Sequence, residues 1–402
     1  MLKRVQGAVS IEELKTLEHS KTNLAVCPKC LGQGKKNRKL RKKDRLIYRQ
    51  ALEKFESARG ESTVPILPKG HAYDCSNCLG SGLVHSESPV FVDNITYPHL
   101  AIIGAGIGGV ALAVACLHRG IPFTIYERDM SFEARSQGYG LTLQQASKAI
   151  KGFGIFSLEQ GVISTRHLVH TTDGQVVGEW GMRKWLSSDS KVSPRRSNIH
   201  IARQSLRLEL LEQLGGHNSV QWNHQLIDFK EDGNNGFELN FKVNGELKST
   251  KADLVIGADG IRSSVRNLLI GEDRSPLRYL GCIVILGICS LNALKSFSSD
   301  LLDSATVFQT ANGHERIYIM PYTSDSIMWQ LSFPMEEKEA KALSDMGAQA
   351  LKLEACRRTH WHDPIPQILA MTQETKVSGY PVYDRALLTS DLLKNAGSAT
   401  LI

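Results

Sequence analysis

The chain has 402 residues, of which 42% are hydrophobic and 22% charged, so it is long enough for two or three domains with sizeable cores. Its net charge of +7 lies in residues 1–95, which hold 17 Lys and Arg against 10 Asp and Glu, whereas residues 96–402 hold 31 against 31. The balanced larger part has no net attraction to nucleic acid or anionic lipid, so we expect no nucleic-acid partner.

Two stretches bear on membrane targeting. Residues 1–20 mix glutamates with lysines and lack an apolar run, so we expect no signal peptide. Residues 100–117 are uncharged over the length of a membrane span, but four glycines interrupt them. This pattern predicts a strand, a turn and a helix instead of a transmembrane segment, and we expect a cytoplasmic protein.

Four of the eight cysteines lie in two copies of one unit, Cys-x-x-Cys-x-Gly-x-Gly, at residues 27–34 and 75–82. Two residues between the cysteines let both thiolates face one ion, and two such pairs supply the four soft ligands of a tetrahedral zinc site. The predicted ligands are Cys27, Cys30, Cys75 and Cys78. A redox-active pair is the alternative. The unit resembles the cysteine-rich repeat of DnaJ-type chaperones; two repeats are enough for a single ion, and chaperone activity does not follow. We expect the zinc module to be structural or to recruit a protein partner.

Between the two cysteine units, residues 35–60 are rich in Lys and Arg. One face of a helix there would carry Leu40, Ile47, Ala51 and Phe55. Nuclear targeting or nucleic-acid binding is one interpretation of this basic helix, but no aromatic stacking platform accompanies the charge. We favour a solvated helix that projects from the metal module. A linker is predicted at 83–96.

The stretch "YPHLAIIGAGIGGVALAVACLHRGIPFTIYERD" has the pattern strand, glycine turn, helix, strand. Gly104, Gly106 and Gly109 occupy the G-x-G-x-x-G positions, where glycine permits the turn, the approach of a pyrophosphate and close helix packing. The helix N-terminus offers free N–H groups to phosphate. Glu127 ends the second strand, where it can accept hydrogen bonds from ribose hydroxyls, and Arg128 follows it. The motif predicts a dinucleotide site, with NAD(P) and FAD both as candidate ligands.

A second motif selects between these ligands. Residues 252–266, "ADLVIGADGIRSSVR", end an apolar strand in Gly-Ala-Asp-Gly. The stretch resembles the Asp-Gly fingerprint of class A FAD-dependent monooxygenases, the aromatic hydroxylases related to salicylate and p-hydroxybenzoate hydroxylases. The resemblance implies that Asp259 and Gly260 contact FAD and the passing NAD(P)H, with Arg262 and Ser263 as further candidates, and it argues against a plain NAD-dependent dehydrogenase. An ordinary turn is the alternative.

Three further stretches resemble the same family. "GYGLTLQQASKAI" (138–150) is similar to its Gly-x-Gly-Leu-x-Leu strand, and "IHIARQSLRLELLEQL" (199–214) to the segment whose arginine, here Arg203, reaches the cofactor. A surface arginine on an amphipathic helix is the alternative for Arg203. "YPVYDRALL" resembles a segment near the flavin, which makes Asp384 and Arg385 candidates.

The remaining stretches predict a substrate domain. Residues 165–182 indicate a hairpin around an Asp-Gly pair, and "RYLGCIVILGICS", "HERIYIMPY" and "SIMWQLSFP" indicate strands of an antiparallel sheet, followed by a helix around 335–355. In the resembled family this sheet covers the flavin and supplies the substrate pocket. Tyr318, Tyr322 and Trp329 either line that pocket or belong to the core, and we assign no catalytic side chain.

The predicted fold class is α/β, with a Rossmann-like FAD-binding domain, an inserted antiparallel-sheet substrate domain and a preceding small zinc-binding module. The predicted boundaries are 1–95 for the zinc module and linker; 96–164, 198–272 and 376–402 for the FAD-binding domain; and 165–197 and 273–375 for the substrate-domain sheet. The resemblance covers about residues 97–402.

The resemblance implies a monooxygenase in which NAD(P)H reduces FAD and one atom of O2 passes to a small, aromatic or otherwise electron-rich substrate. The protein's part would be to exclude water and to hold the substrate, and the zinc ion would take no part in the reaction. A zinc-knuckle interaction protein with a vestigial flavin fold is the alternative.

The last residues, "GSATLI" (397–402), predict one more buried strand. In the resembled family such a strand leads into Gly-Asp-Ala-Ala-His, a proline and a glycine-rich helix start. That Asp holds the ribityl chain, and the helix dipole favours the reduced flavin. We therefore expect the sequence to be an incomplete form of the enzyme that binds FAD weakly and turns over poorly.

Overall fold

The structure is a computed structural model and describes residues 23–57, 64–68, 70–135, 139–182, 198–233, 236–393 and 399–402. Some predicted features lie outside these residues: residues 1–20, the end of the basic insert at 58–60, Gly138, residues 183–197 of the substrate domain, and Gly397 with Ser398. The chain divides into two compact units. The first is Met1–Asp93 with Leu117–Gly120, and the second is Asn94–Cys116 with Ile121–Ile402.

The first unit is built from two short strand pairs and one helix. Its elements are β1 (Leu24–Val26), β2 (Lys35–Asn37), α1 (Lys42–Ser57), β3 (Ala72–Asp74) and β4 (Leu83–His85). β1 pairs with β4 and β2 pairs with β3, both antiparallel, so each cysteine unit connects a strand of one pair to a strand of the other. No residue of α1 is buried, and Ile47 is 52% exposed, which confirms the predicted solvated helix.

The second unit contains the predicted nucleotide and substrate regions. Its described strands are β5 (Leu100–Ile103), β6 (Phe123–Tyr126), β7 (Gly140–Thr142), β8 (Val162–Ser164), β9 (Arg166–His170), β10 (Val176–Trp180), β11 (Asn198–Ala202), β12 (Val220–Gln221), β13 (Gln225–Glu231), β14 (Phe237–Val243), β15 (Glu246–Ala252), β16 (Leu254–Gly257), β17 (Arg278–Ser290), β18 (Thr306–Ala311), β19 (Arg316–Thr323), β20 (Ser326–Pro334), β21 (Val377–Asp384) and β22 (Ala399–Leu401). Its described α-helices are α2 (Ile107–Leu117), α3 (Ala146–Ala149), α4 (Arg203–Gln213), α5 (Ser264–Ile270), α6 (Glu337–Asp345), α7 (Ala348–Arg358) and α8 (Ile365–Met371). No helix in the described part of the chain is both long and apolar enough to cross a membrane.

A sheet of five parallel strands, in the order β12-β6-β5-β16-β22, carries both nucleotide motifs. Its central strand β5 is apolar throughout because both faces are covered. Leu100 and Ile102 pack in the core with α2 and α4, whereas Ala101 and Ile103 pack in the core formed with the β13-β14-β15 meander. The glycine turn follows β5 and the Asp-Gly segment follows β16, so these neighbouring strands deliver the two motifs to one edge of the sheet.

Two local features of this region follow from short sequence patterns. The hairpin between β14 and β15 turns at Asn244 and Gly245, whose φ angles of 52° and 91° fit the type I′ turn expected of an Asn-Gly pair. The strand predicted from "GSATLI" is β22, which pairs in parallel with β16 and buries Ala399.

The substrate region is a seven-stranded sheet in the order β10-β9-β18-β19-β20-β17-β21. The prediction of an antiparallel sheet is wrong for one pair, because β9 and β18 run parallel. A strand's own residues do not record its direction, and β18 follows β9 only after the chain has passed through the nucleotide-binding part. One face of the sheet packs on α6, α7 and α8, and there Trp329 is fully buried, which makes it a core residue. The helix predicted around 335–355 is two helices, because Gly347, at φ 86°, separates α6 from α7.

Candidate functional site

The glycine turn between β5 and α2 is tightly packed on one side and open on the other. A Cβ on Gly104 would lie 2.6 Å from the Ala258 carbonyl oxygen and 2.8 Å from the Cα of Asp259. A Cβ on Gly109 would overlap the Gly104 carbonyl oxygen. A Cβ on Gly106, in contrast, would meet no atom of the described chain within 4 Å. The turn thus packs directly against the Asp-Gly segment and leaves free space at the position where the motif predicts a pyrophosphate.

Glu127 is buried beneath this turn. Its Oε2 accepts a hydrogen bond from the Ala105 N–H at 2.8 Å, and its Oε1 accepts one from the Asp129 N–H at 3.1 Å. The carboxylate therefore fixes the backbone of the glycine turn, a role that the sequence did not predict. Each carboxylate oxygen can accept a second hydrogen bond, so a bond from a ribose hydroxyl stays a prediction. Arg128, the next residue, is exposed.

One carboxylate oxygen of Asp259 accepts hydrogen bonds from the protein backbone. Its Oδ2 accepts from the N–H groups of Ser264 and Val265, at 2.7 and 3.2 Å, at the start of α5. Its Oδ1 is buried and has no hydrogen-bond partner among the described residues, and a buried unsatisfied acceptor is costly unless a ligand donates to it. Gly260 follows at φ 77°. Ser263 accepts from the Arg266 N–H at 2.9 Å, so its hydroxyl is the N-cap of α5.

Arg203 begins α4 and lies against Tyr139. Its Nη1 donates to the Tyr139 hydroxyl at 3.1 Å, and the guanidinium carbon lies 5.4 Å from the centre of the tyrosine ring. Tyr139 also lines a cavity of about 620 Å³ on the seven-stranded sheet. Arg203 is therefore half-buried and held next to this cavity, unlike a freely solvated arginine.

The cavity has a mostly apolar and aromatic wall with a few charged groups. Its lining includes Tyr322, Met328, Tyr380, Asp325 and Lys376. Burial raises the pKa of Tyr322, which stays neutral at ordinary pH. Of the three aromatic residues considered from the sequence, Tyr322 lines this cavity and Trp329 lies in the core behind the sheet.

The Asp384 and Arg385 segment is engaged in contacts within the protein. Arg278 donates to both carboxylate oxygens of Asp384, at 2.9 and 2.7 Å. Arg385 donates through Nε to the Ile261 carbonyl oxygen at 2.6 Å. These contacts connect β17, β21 and the segment after Asp259, so Asp384 and Arg385 hold these elements together.

A buried chain of hydrogen bonds runs between β7, β11, β8 and β9. Thr142 Oγ1 lies 3.0 Å from His200 Nδ1, His200 Nε2 lies 2.7 Å from Ser164 Oγ, and that hydroxyl lies 3.1 Å from His167 Nε2. His200 is fully buried. Burial, with a smaller contribution from the nearby His167, lowers the pKa of His200 to about 4, so the ring is neutral at pH 7.

We expect this histidine to make the protein less stable in acid. The pKa of His200 is lowered from 6.5 to about 4 in the folded state, so the unfolded chain binds the proton first. The free energy of unfolding is therefore expected to fall by roughly 3 kcal/mol as the pH decreases from about 6.5 to about 4. Denaturant titrations of His200→Gln should lose this part of the pH dependence, whereas His314→Gln, at an exposed histidine, should keep it. Parallel curves for wild type and His200→Gln would contradict the assignment.

The four predicted zinc ligands come together in the first unit. Their Sγ atoms all lie within 4.8 Å of one another, and all four residues are buried: Cys27, Cys30, Cys75 and Cys78. The two cysteine units clasp each other reciprocally, because the Cys27 N–H donates to the Gly82 carbonyl oxygen at 2.8 Å and the Cys75 N–H donates to that of Gly34 at 2.7 Å. Gly34 and Gly82 have φ angles of 66° and 82°, and a Cβ on either would strike the backbone of the other unit.

The thiols of this cluster are suited to a soft cation. The Cys30 and Cys78 Sγ atoms lie 3.6 Å apart, close to the ~3.8 Å that a tetrahedron with Zn–S bonds of about 2.3 Å requires. Burial opposes ionisation of Cys27, but hydrogen bonds from Asn77 and from neighbouring backbone N–H groups outweigh it and lower the pKa of this thiol to about 6. Burial and the Cys78 thiol raise the pKa of Cys30 to about 11. The geometry and the donor set fit a closed four-thiolate metal site.

Three features of the site region were not predicted from the sequence: the contact of Tyr139 with Arg203, the His200 chain, and the buried Arg207 on α4. Tyr139 lies inside the Gly-x-Gly-Leu-x-Leu motif, so this motif could have identified it as a site residue. Arg207 and His200 carry no such signal, because each contacts residues far away in the sequence.

Comparison with known proteins identifies the family. The family model described as "FAD binding domain" matches residues 98–389. The chain therefore belongs to the FAD-binding monooxygenase family.

Individual relatives are distant. A protein of Arthroderma benhamiae named "Probable FAD-dependent monooxygenase" is 31% identical over 196 residues, which are 46% of this chain and 42% of that protein. The chloroplastic zeaxanthin epoxidase of Oryza sativa subsp. japonica is 23% identical over 303 residues, 72% of this chain and 42% of that protein. The crystal structure of Klebsiella pneumoniae HpxO with FAD and uric acid has the same fold, with a TM-score of 0.59 and 20% identity over 76% of this chain and 72% of that chain. The chain thus spans less than half the length of the two curated relatives.

Proposed function

We propose that the second unit binds FAD and uses NAD(P)H and O2 to oxygenate a small, aromatic or otherwise electron-rich organic substrate. The observation that carries this proposal is the packing of Gly104 against Ala258 and Asp259, with free space in front of Gly106. A plain NAD-dependent dehydrogenase has no need of the second motif at this position.

The residues proposed to hold FAD lie in the glycine turn, after the neighbouring strands β6 and β16, and at the start of α4. They are Gly104, Gly106, Gly109, Glu127, Arg128, Arg203, Asp259 and Gly260. The open side of the turn and the N-terminus of α2 would face the pyrophosphate, and the unsatisfied Oδ1 of Asp259 would accept a hydrogen bond from the cofactor. Bound FAD supplies the electron-transfer and oxygen chemistry, so the protein needs no nucleophile of its own.

The cavity beside Tyr139 is the proposed substrate pocket. Its volume of about 620 Å³ lies in the range usual for small-molecule sites. Tyr139, Tyr322 and Tyr380 offer aromatic faces, and Met328 offers an adaptable apolar wall. These side chains would exclude water and orient an aromatic substrate at the flavin edge, in keeping with the monooxygenase names of the relatives.

We further propose that the four-cysteine cluster of the first unit binds one zinc ion. The reciprocal clasp and the Sγ separations support a structural site with four protein ligands and no open position for a reacting molecule.

The proposed reaction is tested by reduction of the bound cofactor. The protein is loaded with FAD and mixed with NADH or NADPH in the absence of oxygen, and the visible flavin band is followed. We expect the band to bleach and to return when O2 is admitted. A folded protein that binds FAD but is reduced by neither nicotinamide would favour a vestigial flavin fold over an enzyme.

A further inference from the structure

Arg207 is a buried cation that none of the predicted roles uses. It lies one turn after Arg203 on α4 and is 6% exposed. Its Nε donates to the Ala105 carbonyl oxygen at 2.7 Å, and its guanidinium carbon lies 5.0 Å from the ring centre of Phe132 and 5.3 Å from that of Trp222. A buried arginine is stable only where its guanidinium group is held by other groups, so the contacts of Arg207 indicate its role.

One hydrogen-bond partner of Arg207 is the middle residue of the glycine turn. Ala105 is fully buried between Gly104 and Gly106. Its N–H donates to the buried carboxylate of Glu127 at 2.8 Å, and its carbonyl oxygen accepts from Arg207. Two neighbouring peptide groups of the turn are therefore each held by a buried charge, one negative and one positive.

This clamp determines where the Gly106 N–H points. The peptide group between Ala105 and Gly106 is planar and trans, so its N–H and C=O point in opposite directions. Because the carbonyl oxygen accepts from the buried Arg207, the Gly106 N–H points away from that side chain. A Cβ on Gly106 would meet no atom of the described chain within 4 Å, and the diphosphate of FAD is proposed to lie in this open space.

We propose that Arg207 is a positioning residue that fixes the Ala105–Gly106 peptide so that its N–H faces the diphosphate of the cofactor. The inference rests on the proposed FAD site. Glycines on both sides of Ala105 leave the backbone free to rotate, so without the guanidinium this peptide can turn its carbonyl oxygen toward the phosphates. Arg207 therefore affects the binding of the diphosphate through the backbone, whereas the binding of the adenosine part of FAD does not depend on it.

The test compares ADP with adenosine, because the two ligands differ in the diphosphate alone. In isothermal titrations of the full chain, Arg207→Met is expected to weaken ADP binding by about ten- to a hundredfold, the effect of one charge-assisted hydrogen bond, and to change adenosine binding by less than about twofold. Leu210→Met, a volume-conserving change at another buried position of α4, is the control and should alter neither. Guanidinium ion at low millimolar concentration should restore ADP binding to Arg207→Ala.

Several outcomes would overturn the proposal. Equal losses for ADP and adenosine in Arg207→Met would mean that the residue stabilises the fold in general. Unchanged ADP binding would mean that Arg207 has no effect on the diphosphate site. If Arg207→Met does not fold, Arg207→Lys takes its place: a selective loss of ADP binding supports the proposal, and an equal loss of both ligands contradicts it. Wild-type protein that binds no ADP would remove the nucleotide site itself, and the role of Arg207 with it.

Discussion

Gly106→Asp is expected to weaken FAD binding strongly and to leave the folded protein intact. The new side chain would enter space in which no atom of the described chain lies within 4 Å of a Cβ, so it meets no steric barrier in the absence of ligand. Its carboxylate would stand about 4 Å from a bound phosphate, where two like charges at an effective dielectric constant of about 20 repel by ~4 kcal/mol. We expect the Kd for FAD, measured by flavin fluorescence, to rise by roughly a thousandfold.

Gly109→Ala is the matched comparison for this variant. A Cβ at that position would overlap the Gly104 carbonyl oxygen, so the change should lower the melting temperature of the protein without any ligand. Gly106→Asp should instead melt within a degree or two of wild type, since surface substitutions usually change stability by less than about 0.5 kcal/mol. Unchanged FAD affinity in a folded Gly106→Asp protein would show that the glycine turn is not the cofactor site.

Removal of the proposed zinc ion is expected to unfold the first unit. In the described part of this unit the four buried cysteines form the hydrophobic cluster, with Val84 packed against it, so loss of the metal would remove its central contacts. Structural zinc sites contribute roughly 10–16 kcal/mol of apparent binding free energy at neutral pH, which is available for folding. Elemental analysis of reduced protein should give one zinc per chain, and a chelator should make the first unit sensitive to protease.

Cys75→Ser should lose the metal, whereas Cys282→Ser, at a half-buried cysteine outside the cluster, should keep it. Reduced wild-type protein without zinc, or a Cys75→Ser protein with a full complement of zinc, would contradict the proposed site.

Short local sequence patterns predicted much of this structure. The repeated cysteine units predicted the buried cluster because each unit encodes its own tight turn and only two units are needed to surround an ion. The glycine turn was predictable for the same reason, since its strand, turn and helix are consecutive in the chain. The Asn244–Gly245 hairpin follows from the conformational preference of two adjacent residues.

Long-range relations were not predictable in this way. The parallel pairing of β9 with β18 joins strands about 140 residues apart, and neither strand's residues differ from those of an antiparallel strand. Arg207 has the sequence signature of a polar position on a helix, and only its contact with Ala105, 102 residues away, gives it a role. Trp329 and Tyr322 are both aromatic residues of one sheet, and the face that each occupies decides which lies in the core and which lines the cavity.

The most direct test of FAD binding by the second unit is a titration of the 402-residue chain with FAD in which ADP is the competitor. If the glycine turn and the Asp-Gly segment form one cofactor site, flavin binding will saturate at one FAD per chain and ADP will displace it. A folded chain that shows no saturable flavin binding, or that binds flavin without competition from ADP, would contradict this assignment.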